Sequence, residues 1–227
     1  MSNKSFKKIA CAGGIIIAFS LTASLSCLAA EKAGHGEKAA VVIGVIPFQA
    51  MIPQEPGSMV ICPLCTTGHA AGRIADGAEK IVEDIFVEKL GEFKNIIIIP
   101  QERVAGVYKR ISAESLRRPL FDVLKKAANE LGADVLALGY IYRYIDRVGY
   151  GYSAKKPASV AFEIYMISPR EGEIIWRGVF DKTQKSLMED LFQISSFFKG
   201  GGKWLTAEEL SKQGMAEIFK KFPGFTL

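Results

Sequence analysis

The sequence predicts an α/β fold: a single three-layer-like domain with a central mixed sheet of about five strands, helices on its faces and a C-terminal antiparallel meander. Three observations carry this. Apolar runs rich in β-branched residues recur at Ala39 to Phe48, Ile96 to Ile99 and Val135 to Ile145. Between them, apolar residues return at three- and four-residue steps, as one helix face requires. After Pro157 the apolar period drops to two, and a short turn separates the runs.

Each element follows in order. Ala39 to Phe48 reads as a central buried strand, with Val41, Val42, Ile43, Val45 and Ile46 at its heart. Gln49 to Gly72 reads as a long loop, broken by Pro53, Pro56, Gly57, Pro63, Gly68 and Gly72. A loop of that length in one domain is often functional. Ile74 to Leu90 is expected as a helix. Its stripe is Ile74, Ala78, Ile81, Val82, Ile85 and Leu90, and Glu79, Lys80, Glu83, Asp84 and Glu88 are assigned to water. Ile96 to Ile99 is a second buried strand, closed by Pro100. Helical patterns follow at Gln101 to Tyr108 and Leu116 to Leu131, the latter stopped by Gly132. Val135 to Ile145 is the third strand. Val160, Phe162, Ile164 and Met166 then alternate with Ser159, Ala161, Glu163 and Tyr165. The turn Pro169 to Gly172 leads into a strand whose inward residues are Ile174, Trp176 and Phe180. Ser186 to Phe198 is a helical pattern, followed by a glycine link. Thr206 and Glu209 form a capping box for a last helix, with Leu205 and Leu210 as its staple. No internal repeat is visible.

The first residues have a different grammar. Lys4, Lys7 and Lys8 precede an apolar run from Ile9 to Leu21, and small residues end at Ala29-Ala30. This is the pattern of an export signal. The run falls short of the ~20 residues that cross a bilayer comfortably. The expected organisation is a signal over 1–29, a flexible leader over 30–38 and an α/β domain over 39–227. Ser24-Leu25-Ser26-Cys27 resembles a lipobox, which would make Cys27 the lipidated first residue. Cleavage after Ala29 or Ala30 is the other route. Loss of Lys4, Lys7 and Lys8 with the signal removes three of the five net positive charges. What remains is too weak a basic balance for a nucleic-acid footprint.

Export also frames the cysteines. Cys11 leaves with the signal, and Cys62 and Cys65 remain in Cys-Pro-Leu-Cys. An oxidising compartment favours a local disulfide. A redox-active pair is the second reading. A metal site with His69 is the third, but structural zinc takes four ligands and His35 is the only other histidine. No metal site, cofactor or catalytic residue is assigned, since neither histidine sits with a nucleophile and carboxylate as a triad requires.

The residues also carry a resemblance. Val42-Ile-Gly-Val-Ile-Pro-Phe48, then an amphipathic helix, then Phe93 to Arg103 with its Ile-Ile-Ile-Ile-Pro run come first. Ala128 to Gly139, an alternating strand, a glycine turn and Glu173-Ile-Ile-Trp176 follow. Over roughly residues 40–182 this pattern resembles the periplasmic domain shared by three groups. These are the penicillin-binding-protein activator lipoproteins, the curli-secretion lipoprotein and the N-terminal domain of the Tol propeller protein. The resemblance implies a mixed sheet with helices on its faces, an outer-membrane or periplasmic address and non-enzymatic binding of other envelope proteins. Two departures stand out. Ser168-Pro-Arg-Glu-Gly172 replaces an Asp-containing turn, and the Cys62–Cys65 loop is extra. The connection from Arg143 to Pro157 is too short for membrane-spanning hairpins.

A partner surface is expected on the segment Tyr140 to Lys156, at Tyr142, Arg143, Arg147, Tyr150 and Lys155, because Tyr and Arg are favoured at interfaces. The competing reading is a hairpin whose tyrosines cover its own sheet. The functional expectation is a periplasm-facing accessory protein of envelope assembly or secretion. Its partner is another envelope protein, and its contact with the membrane is a lipid anchor. The alternative is thiol–disulfide chemistry at Cys62 and Cys65.

Overall fold

The computed structural model describes residues 40–55, 58–115, 117–151, 153–184 and 203–225. The expected signal and leader, Cys27 and the expected helix at Ser186 to Phe198 lie outside them. No helix among the described residues is long and apolar enough to cross a membrane.

The main sheet is built from β1 (Val41–Val45), β2 (Gln49–Ala50), β5 (Ile96–Ile98), β6 (Val135–Ile145), β9 (Ser159–Ser168) and β10 (Glu173–Thr183). Its order is β10-β9-β6-β1-β5, and the short β2 continues beside β6. β1 runs parallel to β5 and β6, while β6, β9 and β10 are antiparallel. This is the expected mixed sheet with its meander. The parallel part needs helical crossovers, which α1 (Ala78–Leu90), α2 (Gln101–Glu114) and α3 (Leu120–Leu131) supply. α4 (Ala207–Phe219) closes the described chain, and its Thr206–Glu209 capping box is formed as the sequence predicts.

Two cores result, one on each face. The first joins β-strand residues Ile43, Val160, Phe162, Ile164 and Trp176 to Phe86 of α1 and Leu210 and Phe219 of α4. The second joins Leu136, Tyr140, Tyr165 and Ile167 to Val104 of α2 and Leu124 of α3, and it includes Cys62. β9 is therefore buried on both faces. Its alternation separates one interior from another. Gly139 on β6 makes room for the Phe48 ring, since a Cβ there would lie 2.4 Å from it.

Several expectations are corrected. The loop from Gln49 to Gly72 contains a hairpin, β3 (Met59–Ile61) and β4 (Gly68–Ala70), besides β2. Proline and glycine punctuate it without preventing it. α1 begins at Ala78, because Gly77 turns left-handed and Ile74 instead bridges to Tyr144 of β6. Glu83, assigned to water, is buried and accepts the Phe48 N–H at 2.9 Å, tying α1 to the end of β1. β5 is an edge strand, so Ile97 is exposed.

Candidate functional site

The hairpin β3–β4 lies over the second face of β6 and β9 and brings chemistry with it. Val60 and His69 are register partners, and Cys62 follows β3 directly. The chain turns through Cys65 and Thr66 and returns along β4. The Cys62 N–H donates to the Thr67 carbonyl, and the Thr66 N–H to the Cys62 carbonyl. Arg143 holds the hairpin down by donating to the Ala70 carbonyl, and Gly72 N–H donates to the Tyr142 carbonyl.

At the bottom sits Glu163 of β9, with no solvent exposure. Its carboxylate accepts from the Tyr142 hydroxyl at 3.0 Å, the Tyr165 hydroxyl at 2.8 Å and Arg177 Nε at 3.1 Å. Arg177 Nη2 completes a two-pronged pair with it. His69 Nε2 lies 3.2 Å away. It makes no hydrogen bond with the carboxylate. The His69 ring stacks on Tyr142 at 4.1 Å. The Tyr165 hydroxyl also touches both sulfurs, Cys62 at 3.2 Å and Cys65 at 3.0 Å. The two cysteines are free thiols; Cys62 is buried and Cys65 half-buried.

The electrostatics follow from this geometry. Burial by itself would push the Glu163 carboxyl up, but hydrogen bonds from Arg177 and Tyr165 and the neighbouring His69 and Arg177 hold it below the usual carboxylate range. The Tyr165 phenol is pushed up by burial and by its contacts with Cys62, Cys65 and Glu163, so it stays protonated and donates. Burial works against a charged Cys65. Hydrogen bonds from Thr67, Tyr165 and Cys62 outweigh it and bring this thiol down to about 6.

The sequence-predicted site residues divide. Cys62 and Cys65 are together as their spacing requires. Tyr142 is 1% exposed and belongs to the Glu163 network, which removes it from any partner surface. The cause is the hairpin β3–β4, which covers the face that Tyr142 shares with Leu138 and Tyr140 and stacks His69 on its ring. Arg143 is occupied by Ser159, Asp181 and the hairpin. Tyr150 and Lys155 remain at the surface, on the small sheet of β7 (Val148–Tyr150) and β8 (Ser153–Lys156), while Arg147 beside it is half-buried and donates to the Trp204 carbonyl. Glu163, Tyr165 and Arg177 were missed as site residues. The available signal was a glutamate between Phe162 and Ile164 in a strand with apolar residues on both faces.

Elsewhere, a cleft of about 300 Å³ runs between α1 and α2 beside Phe48 and Lys80. Lys80 is already engaged there by Glu83, Asp84 and Gln101.

No protein-family model and no curated protein matches the chain. Solved structures do. The hypothetical protein CT253 from Chlamydia trachomatis is similar at TM-score 0.46 and 15% identity, covering 82% of this chain and 98% of that one. The LpoB C-terminal domain from Escherichia coli is similar at 0.40 and 11%, covering 66% and 87%. Lipoprotein GNA1162 from Neisseria meningitidis is similar at 0.37 and 13%, covering 71% and 99%. Likeness at these scores and identities carries nothing over about address, activity or partners.

Proposed function

We infer that this chain is a non-enzymatic, periplasm-facing envelope protein. It works as a partner-binding accessory factor in envelope assembly or secretion, held at the membrane by lipid on Cys27. The single observation behind partner binding is the β7–β8 hairpin. It forms a sheet of its own and leaves Tyr150 83% and Val148 50% exposed. Its position is nevertheless fixed. Arg147 donates to the Trp204 carbonyl at 2.8 Å, and the Trp204 N–H donates to the Gly151 carbonyl at 2.6 Å. An exposed aromatic on a pre-positioned hairpin loses little freedom on binding, which is what makes such residues anchors. The exported address rests on the Lys4 to Ala30 pattern.

The competing thiol–disulfide reading is weaker on geometry. A reactive cysteine of that kind gains from a helix N-terminus, and here the pair sits in a hairpin, with α1 beginning only at Ala78.

Photo-crosslinking from position 150 in the full chain, expressed in its own cells, tests the docking role. A discrete adduct with one envelope protein is expected, and it should vanish when Arg147 and Lys155 are changed to Ala. Absence of any adduct from 150 and 155 refutes the surface. Unprocessed full-length chain dissolved in cytosol refutes the address.

A further inference from the structure

We propose that Cys62, Cys65, His69 and Glu163 form a binding site for one divalent ion of the zinc class. The site is independent of the docking surface.

Three of the four donors already converge: Cys62 Sγ, Cys65 Sγ and a Glu163 oxygen lie within 4.8 Å of one another. Zinc binds sulfur at about 2.3 Å and oxygen or nitrogen at about 2.0–2.2 Å in a tetrahedron. Its ligand atoms therefore stand about 3.3–3.8 Å apart, a modest contraction from what is present. The fourth donor is His69 Nε2, which stands outside that cluster of three and must close on the sulfurs when the ion binds. It lies 3.2 Å from Glu163 Oε2, is buried and has no hydrogen-bond partner. A buried ring nitrogen beside a carboxylate but without a hydrogen bond to it is incompletely satisfied, and a metal ion bound by both resolves it.

The Tyr165 hydroxyl marks where the acceptors meet. It faces Cys62 Sγ, Cys65 Sγ and Glu163 Oε2 at 3.2, 3.0 and 2.8 Å. A hydroxyl has one hydrogen to give, whereas a divalent ion serves all three at once.

The hairpin suits the task. Cys62 and Cys65 are separated by two residues, the usual spacing for paired zinc thiolates. The Cys65 N–H points at Cys62 Sγ at 3.5 Å, a donor that stabilises a thiolate. Thr66 has a φ of 55°, the only positive φ outside glycine among the described residues. Such a conformation is rare for a β-branched residue, and it turns the chain back toward His69.

Outer groups are in place as well. Stacking on Tyr142 fixes the His69 ring, and Arg177 and Tyr142 orient Glu163. Charge also closes. Two thiolates and a carboxylate carry three negative charges, and a divalent ion with Arg177 balances them. Soft thiolates with one imidazole select zinc over magnesium or calcium. Half-buried Cys65 leaves a way in.

The test uses the full chain, purified in detergent, reduced and stripped with chelator, then titrated with cobalt(II) and back-titrated with zinc. The expected result is one cobalt per chain, with thiolate charge-transfer absorption and the intense visible bands of tetrahedral cobalt. Zinc should bleach them. Cys65→Ser should remove its share of the charge-transfer band, leaving at most that of Cys62. His69→Ala removes a ligand and should weaken binding by at least the roughly 10- to 100-fold that loss of an outer-shell partner costs. Glu163→Gln disturbs a buried network, so His69→Ala carries the decision, with circular dichroism confirming that it folds. Urea-unfolded wild type reports what the bare cysteine pair binds. Three results overturn the proposal: no thiolate–cobalt band in folded wild type, equal affinity in His69→Ala, or folded protein binding no better than unfolded. Thiol trapping in cells adds a fourth, since a Cys62–Cys65 disulfide throughout the population assigns the pair to a covalent staple.

Discussion

Strand β9 looks into two different interiors, and the contrast explains how this domain holds both a stable core and a chemical site. Toward α1 and α4, Val160, Phe162, Ile164 and Met166 meet Phe86, Phe180 and Phe219, and the β9 contribution is wholly apolar. Toward the hairpin β3–β4, Glu163 and Tyr165 meet His69, two thiols, Tyr142 and Arg177. The first side needs only shape and volume. The second needs every donor matched to an acceptor, because an unpaired polar group costs far more inside than at the surface. One side is thus tolerant and dull, and the other is exacting and able to do chemistry.

The sharpest way to break this comparison is to empty its most demanding position. Glu163→Ala leaves the hydroxyls of Tyr142 and Tyr165 and the Arg177 guanidinium without their common acceptor. Removing one member of a buried charged network costs about 3–5 kcal/mol. Urea unfolding of the full chain should show that loss, together with faster alkylation of Cys65 as the hairpin loosens. A loss under about 1 kcal/mol, the scale of an ordinary single hydrogen bond, would mean the polar side is not held by its network.

The apolar side should fail differently. Gly178 of β10 lies between Trp176 and Phe180, and a Cβ there would meet the Trp176 ring at 2.5 Å and Ile218 of α4 at 2.8 Å. Gly178→Ala overpacks that contact, at a cost of about 1–3 kcal/mol. Because the damage stays on the α4 side, the alkylation rate of Cys65 in the folded protein should not change. A changed rate would show that the two interiors are coupled through β9 and β10.

The same contrast governs what could be read from the sequence. The apolar side was legible: period-two residues on β9 and β10, three- and four-residue steps on α1, and the Thr206 cap all point to it. The polar side was not. Its residues come from β4, β6, β9 and β10, far apart in the chain. Glu163 joined Ala161 and Tyr165 as a second side whose cover sequence could not supply. Nothing local locates the bulge at Tyr142 that changes the phase of the strand after it. Tyr140, Tyr142 and Tyr144 share a period-two face on paper, yet the bulge puts Tyr144 in the first core and the other two in the second. Proline and glycine around Cys62 hid a hairpin, although the β-branched Val60 and Ile61 hinted at a strand.

The smallest expected effect sharpens the contrast from the apolar side, whose helix α4 begins with a polar joint. The Thr206 hydroxyl accepts the Glu209 N–H at 3.1 Å, and the Glu209 carboxylate accepts the Thr206 N–H at 2.9 Å and pairs with Lys203. The Thr206 N–H and then Lys203 hold the Glu209 carboxyl below its ordinary value. A carboxyl lowered by folding adds stability that is complete above its unfolded value and lost as pH falls through the folded one. Glu209→Gln should therefore destabilise at neutral pH by about 0.3–1 kcal/mol, the usual worth of a charge in a first helical turn. The gap from wild type should close in acid, below the folded value. Glu163 is lowered in the same sense, so the raw acid loss mixes both, and only the difference between wild type and Glu209→Gln isolates the cap. A gap that persists unchanged in acid would assign the cap's worth to packing around Leu205 and Leu210, and would make even this joint part of the apolar side.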